Sequence, residues 1–387
     1  MDDTGIKSDI GAMLVQAPMP ELRHLEIGPD SFASKLDLHR LSLAAPLLTT
    51  LRLWDSISVT PLECTQMTLH RLTRLEFYGT RDVNRTTPIS WDVVTIASLL
   101  PALEVIAFKN MFPPSPRPKS IEPAHLAKGL KIIFLDTDHS SDSVVTLDEC
   151  LIHPSAKRHV VLRGLDTAST ISILRCAFAN ICVRPRGEAT HDFQEGGASF
   201  AKGESFQPRP VGSFLVGLTV TRPTDAFAMH LAPNGFSNDE GGYVIYMWNV
   251  AHHLAHVLAC IPLDGLQSFV FKDNANARLP WEYLKHSPTL AAVAINGISA
   301  EGFVRTLEKR PGTFVSLRRL AMSGCPTFDN DALPTRLSSA LKKRKELGLP
   351  GLELLGVPET KGKDIAPLFR TVASNVRVER PMYSSNF

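Results

Sequence analysis

The 387 residues carry 41 lysines and arginines against 39 aspartates and glutamates, a formal charge of +2, so neither a nucleic-acid basic footprint nor an acidic solvating tail is present. With 44% hydrophobic and 21% charged residues the composition is that of a globular protein, which excludes global disorder. No run approaches the ~18 uninterrupted apolar residues of a membrane span, and the cysteines are scattered without a C-x-x-C pair. No membrane association, zinc site or dense disulfide framework is therefore expected. The opening Met1-Asp2-Asp3-Thr4 is acidic where a secretory leader is positive, and the expected location is cytoplasmic or nuclear.

In chain order, one element recurs, an L-x-x-L-x-L run. It begins as Leu22/Leu25/Ile27 and returns as Leu48/Leu51/Leu53, Leu72/Leu75/Phe77, Leu103/Ile106/Phe108 and Leu130/Ile133/Leu135, with starts 26, 24, 31 and 27 residues apart. Short apolar stretches of helical period precede the strands, at 42–46, 93–101, 123–127 and 250–261. Turn residues such as Gly28-Pro29-Asp30 and Tyr78-Gly79-Thr80 follow them.

Residues 184–212 are rich in Gly, Pro and charge and read as a flexible loop or insertion. Beyond them, 213–220 and 226–231 read as two strands joined by a turn, and 242–248 as a further strand. The run resumes as Leu266/Phe269/Phe271, Leu290/Val293/Ile295, Leu317/Leu320/Met322 and Leu352/Leu355/Val357. Between Leu130 and Leu266 only Leu215/Leu218/Val220 fits. The expected organisation is an N-terminal arc over 1–183, the 184–212 loop, and a C-terminal arc over 213–387 with inserted strands near 213–250.

Most steps fall in the 20 to 29 residue period of leucine-rich repeats. The pattern predicts an α/β fold, an irregular leucine-rich-repeat solenoid with a curved parallel sheet and helices on the convex face. Asn274 and Cys325 occupy the Asn/Cys slot of the repeat, where a side chain satisfies backbone groups as the chain leaves the strand.

The segments Met19-Pro20-Glu21-Leu22-Arg23-His24-Leu25-Glu26-Ile27, Leu48-Thr49-Thr50-Leu51-Arg52-Leu53, Leu72-Thr73-Arg74-Leu75-Glu76-Phe77 and Leu317-Arg318-Arg319-Leu320-Ala321-Met322 resemble the degenerate repeat region of the fungal F-box leucine-rich-repeat family. The similarity covers about two thirds of the chain. It implies a non-enzymatic scaffold like the substrate-recognition part of an F-box ubiquitin-ligase subunit. The F-box itself, a three-helix module that docks the adaptor of a cullin ligase, is not seen. Met19-Pro20-Glu21-Leu22 runs straight into the first strand, so the Skp1-type adaptor is questionable as a partner and a protein partner of unknown identity is expected.

Strand side chains alternate with period 2, so residues between the repeat leucines must face the concave side. In the first arc these include Glu26, Thr50, Arg52, Trp54, Arg74, Glu76, Tyr78, Val105, Ala107, Lys109, Ile132, Phe134 and Asp136. Arg52, Trp54, Arg74, Glu76, Tyr78 and Lys109 are the candidate partner-binding set, since aromatics and arginines are enriched at binding hot spots. The corresponding set of the second arc, among it Ser268, Ala292, Ala294 and Ala321, is small and offers less to grip.

No nucleotide, hydrolase or zinc-protease motif occurs, and no catalytic residue, cofactor or metal is expected. His252 and His256 share a helical face without further ligands. Residues 136–142 resemble part of a calcium loop but lack its Gly and Glu. Lys342-Lys343-Arg344-Lys345 reads as cations at a helix C-terminus ahead of Gly348. The alternative to a scaffold is a hydrolase-like enzyme built around His125, His139 or His153.

Overall fold

The computed structural model describes residues 17–28, 35–36, 38–54, 58–59, 69–79, 90–113, 116–120, 122–137, 141–153, 156–162, 167–182, 214–221, 226–233, 242–247, 254–273, 281–297, 299–329, 332–359 and 364–379. The main strands are β1 (His24–Ile27), β2 (Thr50–Trp54), β3 (Arg74–Tyr78), β4 (Val105–Lys109), β5 (Ile132–Thr137), β6 (Lys157–Leu162), β7 (Phe214–Thr221), β8 (Ala226–Pro233), β9 (Tyr243–Met247), β10 (Leu266–Asp273), β11 (Ala292–Gly297), β12 (Arg319–Ser323), β13 (Leu354–Pro358) and β14 (Val376–Glu379). The helices are α1 (Leu38–Ala44), α2 (Asp92–Ser98), α3 (Ser141–Cys150), α4 (Thr167–Cys182), α5 (Leu254–Ala259), α6 (Trp281–Leu284), α7 (Ala300–Lys309) and α8 (Ala332–Glu346). This is a mixed α/β protein with a mostly parallel sheet. Among the described residues no helix is long and apolar enough to cross a membrane. Two compact units form, one from 1–173 with 239–247 and the other from 174–238 with 248–387.

In the first unit β1, β2, β3, β4, β5, β6 and β9 pair in that order, all parallel. The leucine pattern sets the register. Leu25, Leu51, Leu75, Ile106 and Ile133 lie opposite one another, as do Ile27, Leu53, Phe77, Phe108 and Leu135. All of these except Leu25, which sits on the outermost strand, are buried at 0–2% exposure. Because the side-chain period is 2, a slip of one residue would expose this whole set, so its burial locks the register. Phe77 and Phe108 stack at 5.2 Å between centroids. At the strand entries, the Thr49 hydroxyl donates to the Arg23 carbonyl and the Thr73 hydroxyl to the Thr49 carbonyl, tying each repeat to the one before.

The expected helices at 42–46 and 93–101 appear as α1 and α2, and α2 buries Val93, Val94, Ile96 and Ala97. The stretch 123–127 is not helical. Ala124–His125 is a two-residue strand paired with Leu151–Ile152. Five residues bounded by Pro123 and Gly129 cannot repay helix nucleation, and the extended backbone finds partners instead. The 184–212 stretch and Asn274 lie outside the described residues.

In the second unit the order is β8, β7, β10, β11, β12, β13, β14. β7 and β8 form the expected pair of joined strands and are antiparallel; the other pairings are parallel. Phe269, Val293, Leu320 and Leu355 align across β10 to β13, as the repeat predicts. Leu215 departs from it. Leu215 lies opposite Ser268 and is half-buried, while Val216 and Leu218 enter the core. The register shift between Phe214 and Leu215 and the hairpin with β8 override the leucine spacing there.

The core of this unit is aromatic. Trp281 meets Phe269, Phe271 and Phe303 edge-on at 6.1, 6.4 and 5.0 Å. Cys325 is buried after β12 and its thiol lies 3.2 Å from the Ser323 carbonyl, the backbone-satisfying role expected of that slot. Burial raises its pKa to about 11. Gly324 before it has φ +57, and any Cβ there would run into Asn296.

The basic run on α8 is not uniformly solvated. Arg344 is 1% exposed, and its Nη1 and Nη2 donate to the carbonyls of Thr313 (2.6 Å), Val315 (3.3 Å) and Leu317 (3.4 Å). These carbonyls belong to a turn in which Phe314 holds φ +53. Burial pulls the guanidinium down to about 10. It remains charged at neutral pH and staples α8 to that turn. Arg344→Ala should lower stability by about 3 kcal/mol or more, since several buried carbonyls lose their donors. Arg344→Lys, unable to reach all three, should recover less than half in chemical denaturation. An unchanged midpoint for the alanine variant would refute the staple.

Candidate functional site

The residues between the buried leucines of the first unit form three rows across the strands. His24, Thr50, Arg74, Val105, Ile132 and Lys157 align in one row, and Glu26, Arg52, Glu76, Ala107, Phe134 and His159 in the next. Trp54, Tyr78, Lys109, Asp136, Val161 and Tyr246 make the third. Most stay half-exposed, in contrast to the leucine face. Four are buried: Glu76 at 0%, Ala107 at 2%, Val161 at 5% and Asp136 at 7%.

Glu76 is the hub. Its Oε1 is hydrogen-bonded by Arg74 Nε and its Oε2 by the Tyr78 hydroxyl. Arg52 Nε lies 3.3 Å from Oε2 without hydrogen-bond alignment, and Lys109 Nζ lies 3.9 Å away. Lys109 Nζ donates to the Tyr78 hydroxyl at 2.8 Å and rests 4.5 Å from the centre of that ring. On the other side, Glu26 accepts from Trp54 Nε1 (3.0 Å) and Arg52 Nη1 (3.3 Å). Trp54 and Tyr78 stack at 4.6 Å and 17°. The ladder continues more loosely through Phe134, His159 and Tyr246, with centroids 6.3 and 6.4 Å apart.

Burial on its own would raise the Glu76 carboxyl. The hydrogen bonds from Tyr78 and Arg74, with the charges of Lys109 and Arg74, outweigh it and hold the group below the usual carboxylate range. At the end of β3, Gly79 donates to the Lys109 carbonyl at 2.7 Å, and a Cβ there would collide with the Asn110 carbonyl. Only glycine lets β3 and β4 close beside the cluster.

All six sequence-nominated residues, Arg52, Trp54, Arg74, Glu76, Tyr78 and Lys109, therefore meet in one cluster. Glu76 differs from the rest in having no solvent exposure; it organises the cluster and offers no surface. Period-2 reading missed His159, Lys157 and Tyr246, which lie past the last regular leucine run of the first arc. The alternation within residues 157–162 was the only signal for Lys157 and His159, and Tyr246 lies in the strand expected at 242–248. In the second unit the small positions Ser268, Val270, Ala292, Ala294 and Ala321 line a shallow apolar hollow of ≈ 220 Å³.

Of the histidines named for a hydrolase, His125 and His153 are described. His153 is buried, with Nδ1 accepting from the Ala156 amide (2.8 Å) and Nε2 donating to the Ala127 carbonyl (2.9 Å). His125 is exposed, and His139, His252 and His253 lie outside the described residues. Among the described residues no group of three or more His, Cys, Asp or Glu could hold a metal ion. No protein-family model matches the chain, and no curated protein matches it.

Two predictions follow from the hub. A carboxyl whose folded-state pKa lies below its unfolded one contributes stability that is complete above the unfolded value and lost as pH falls through the folded value. The wild type should thus exceed Glu76→Gln by about 1–2 kcal/mol at neutral pH, a figure reduced for the exposure of the cations. That advantage should begin to shrink as pH falls below the ordinary 4.5. A difference that stays constant in urea melts from pH 7 to pH 3 would contradict it. For the stacked pair, a double-mutant cycle of Trp54→Ala and Tyr78→Ala should return a coupling of about 0.5–1.5 kcal/mol. Additive effects would mean that the rings do not support each other.

Proposed function

We propose that the chain is a non-enzymatic protein-interaction scaffold, an irregular leucine-rich-repeat solenoid that holds a protein partner on the aromatic and cationic face of its first unit. The observation that carries this reading is the Glu76 cluster, which fixes Trp54, Tyr78, Arg52, Arg74 and Lys109 as a rigid, half-exposed set over a buried carboxylate. Such preorganised aromatic and arginine groups lose little conformational entropy when a partner docks. The alignment of repeat leucines across parallel strands supports the solenoid. The resemblance to the substrate-recognition part of F-box ligase subunits favours a recognition role.

The orientation of the rings favours protein over nucleic acid. Trp54 and Tyr78 lie face to face, so one π-face of each is covered by the other. Base-binding sheets need those faces free for stacking.

A photo-crosslinking amino acid placed at Val105, on this face, should capture a discrete protein. The same group at Leu43, which is 66% exposed on α1, should not. Trp54→Ala should reduce the Val105 product at least tenfold while the chain stays folded by circular dichroism. Equal capture from both positions, or indifference to Trp54→Ala, would reject the face. Recovery of a cullin-ligase adaptor would extend the role to a ubiquitin ligase.

A further inference from the structure

The acids and bases of this face are disposed unequally. Glu76 and Asp136 are buried at 0% and 7% exposure, leaving Glu26, half-exposed on the outermost strand, as the only acid in the three rows that meets solvent. The bases point outward: the side chains of Arg52, Arg74 and Lys109 are 40%, 45% and 30% exposed, and Lys157 is half-exposed. Of the five N–H donors of a guanidinium, Arg74 commits only the one at Nε, to Glu76, and among the described residues no hydrogen bond engages its Nη1 or Nη2. Among the described residues Arg52 likewise has no hydrogen bond at Nη2, and the Lys157 side chain has no ion-pair or hydrogen-bond partner. The carboxylate acceptors of the cluster are thus engaged internally while its donors are in surplus toward solvent.

The surplus is arranged in a line. Within the row that begins at His24 and Thr50, Arg74 and Lys157 bracket Val105 and Ile132, each half-exposed. The half-exposed Phe134 and the small Ala107 flank that apolar centre in the next row. Three strand spacings of ~4.8 Å place the two cationic ends ~14 Å apart. An extended peptide advances ~3.3–3.4 Å per residue and turns residues i, i+2 and i+4 to one side. Residues i and i+4 of an extended segment therefore match the two cationic ends, and residue i+2 falls on the apolar centre. A helix would need about nine residues to cover the same distance and would not repeat this order of charge and apolarity.

We propose that the partner element is an extended acidic segment of the form Asp/Glu-x-apolar-x-Asp/Glu, running across β3 to β6 with its carboxylates on Arg74 and Lys157 and its apolar residue over Val105 and Ile132. This rests on the scaffold reading and specifies what the scaffold reads. Arg52 adds a second donor at the Arg74 end, which sets the stronger of the two acidic subsites there.

The test is fluorescence anisotropy of the full chain with labelled peptides containing Glu-Ser-Leu-Ser-Glu between Gly-Ser flanks. At 50 mM salt this peptide should bind at least tenfold tighter than its Gln-Ser-Leu-Ser-Gln counterpart and than a version with the two acids one residue closer. Raising salt to 300 mM should weaken it severalfold, as exposed charge pairs are screened. Lys157→Glu should cost at least fivefold in affinity. Arg74→Glu should cost more, and because it also touches Glu76, its fold is checked by circular dichroism; Lys157→Glu disturbs no internal contact and keeps the test decisive. Equal binding of the glutamine peptide, preference for a lysine peptide or for oligouridine, or no binding of any peptide at millimolar concentration would each overturn the proposal. If the acids prove irrelevant while Trp54→Ala still abolishes the Val105 crosslink, the scaffold reading survives and the acidic segment does not. Loss of the crosslink's dependence on Trp54 as well would remove both.

Discussion

A carboxylate removed from water must find its hydrogen bonds and countercharges inside the protein, and Glu76 finds them in groups from its own strand and both neighbours. Arg52 comes from β2, Arg74 and Tyr78 from β3, and Lys109 from β4. Desolvation alone would favour the neutral acid; the surrounding donors reverse that preference and keep the charge in place. The cations cannot swing away without leaving a buried charge uncompensated, so a surface of long, normally mobile side chains becomes an ordered one. Trp54 is drawn into the same order by its stack on Tyr78 and its bond to Glu26.

This arrangement depends on register. The apolar set from Leu51 to Leu135 selects which side chains turn away from the core, and the same choice brings Glu76 opposite Arg52 on one side and Ala107 on the other. The small Ala107 leaves room for Lys109 to lie over Tyr78 and within 5.3 Å of the Phe134 ring centre. Packing on one face therefore fixes electrostatics on the other, because successive side chains of a strand are bound to opposite sides.

Much of the fold was legible in the sequence because leucine spacing reports burial directly. The strands at Leu51, Leu75, Ile106, Ile133, Phe269, Val293, Leu320 and Leu355 all align as the repeat implies. Leu215 misled, since an antiparallel hairpin and a register shift are tertiary events that leave no mark in local spacing. The stretch at 123–127 misled for a different reason: its apolar period is real, but five residues next to Pro123 are too few to hold a helix. For the site, the six nominated residues share one face as alternation requires, yet the burial of Glu76 could not be read from its position. Burial there follows from four neighbouring side chains on three strands, a property of the assembled sheet. Arg344 shows the converse, a lysine-rich run in which one member is sequestered by backbone carbonyls some 30 residues earlier in the chain.

The most direct measurement is the titration of the Glu76 carboxyl itself, by carbon-detected nuclear magnetic resonance on selectively labelled glutamate, assigned through Glu76→Gln. The account requires a midpoint below the ordinary 4.5, and an upward move of that midpoint in Tyr78→Phe and in Arg74→Met, because each removes one of the donors that hold the charge. A midpoint at or above 4.5 that neither substitution moves would show that Glu76 is not held by this cluster, and the ordered face built on it would lose its foundation.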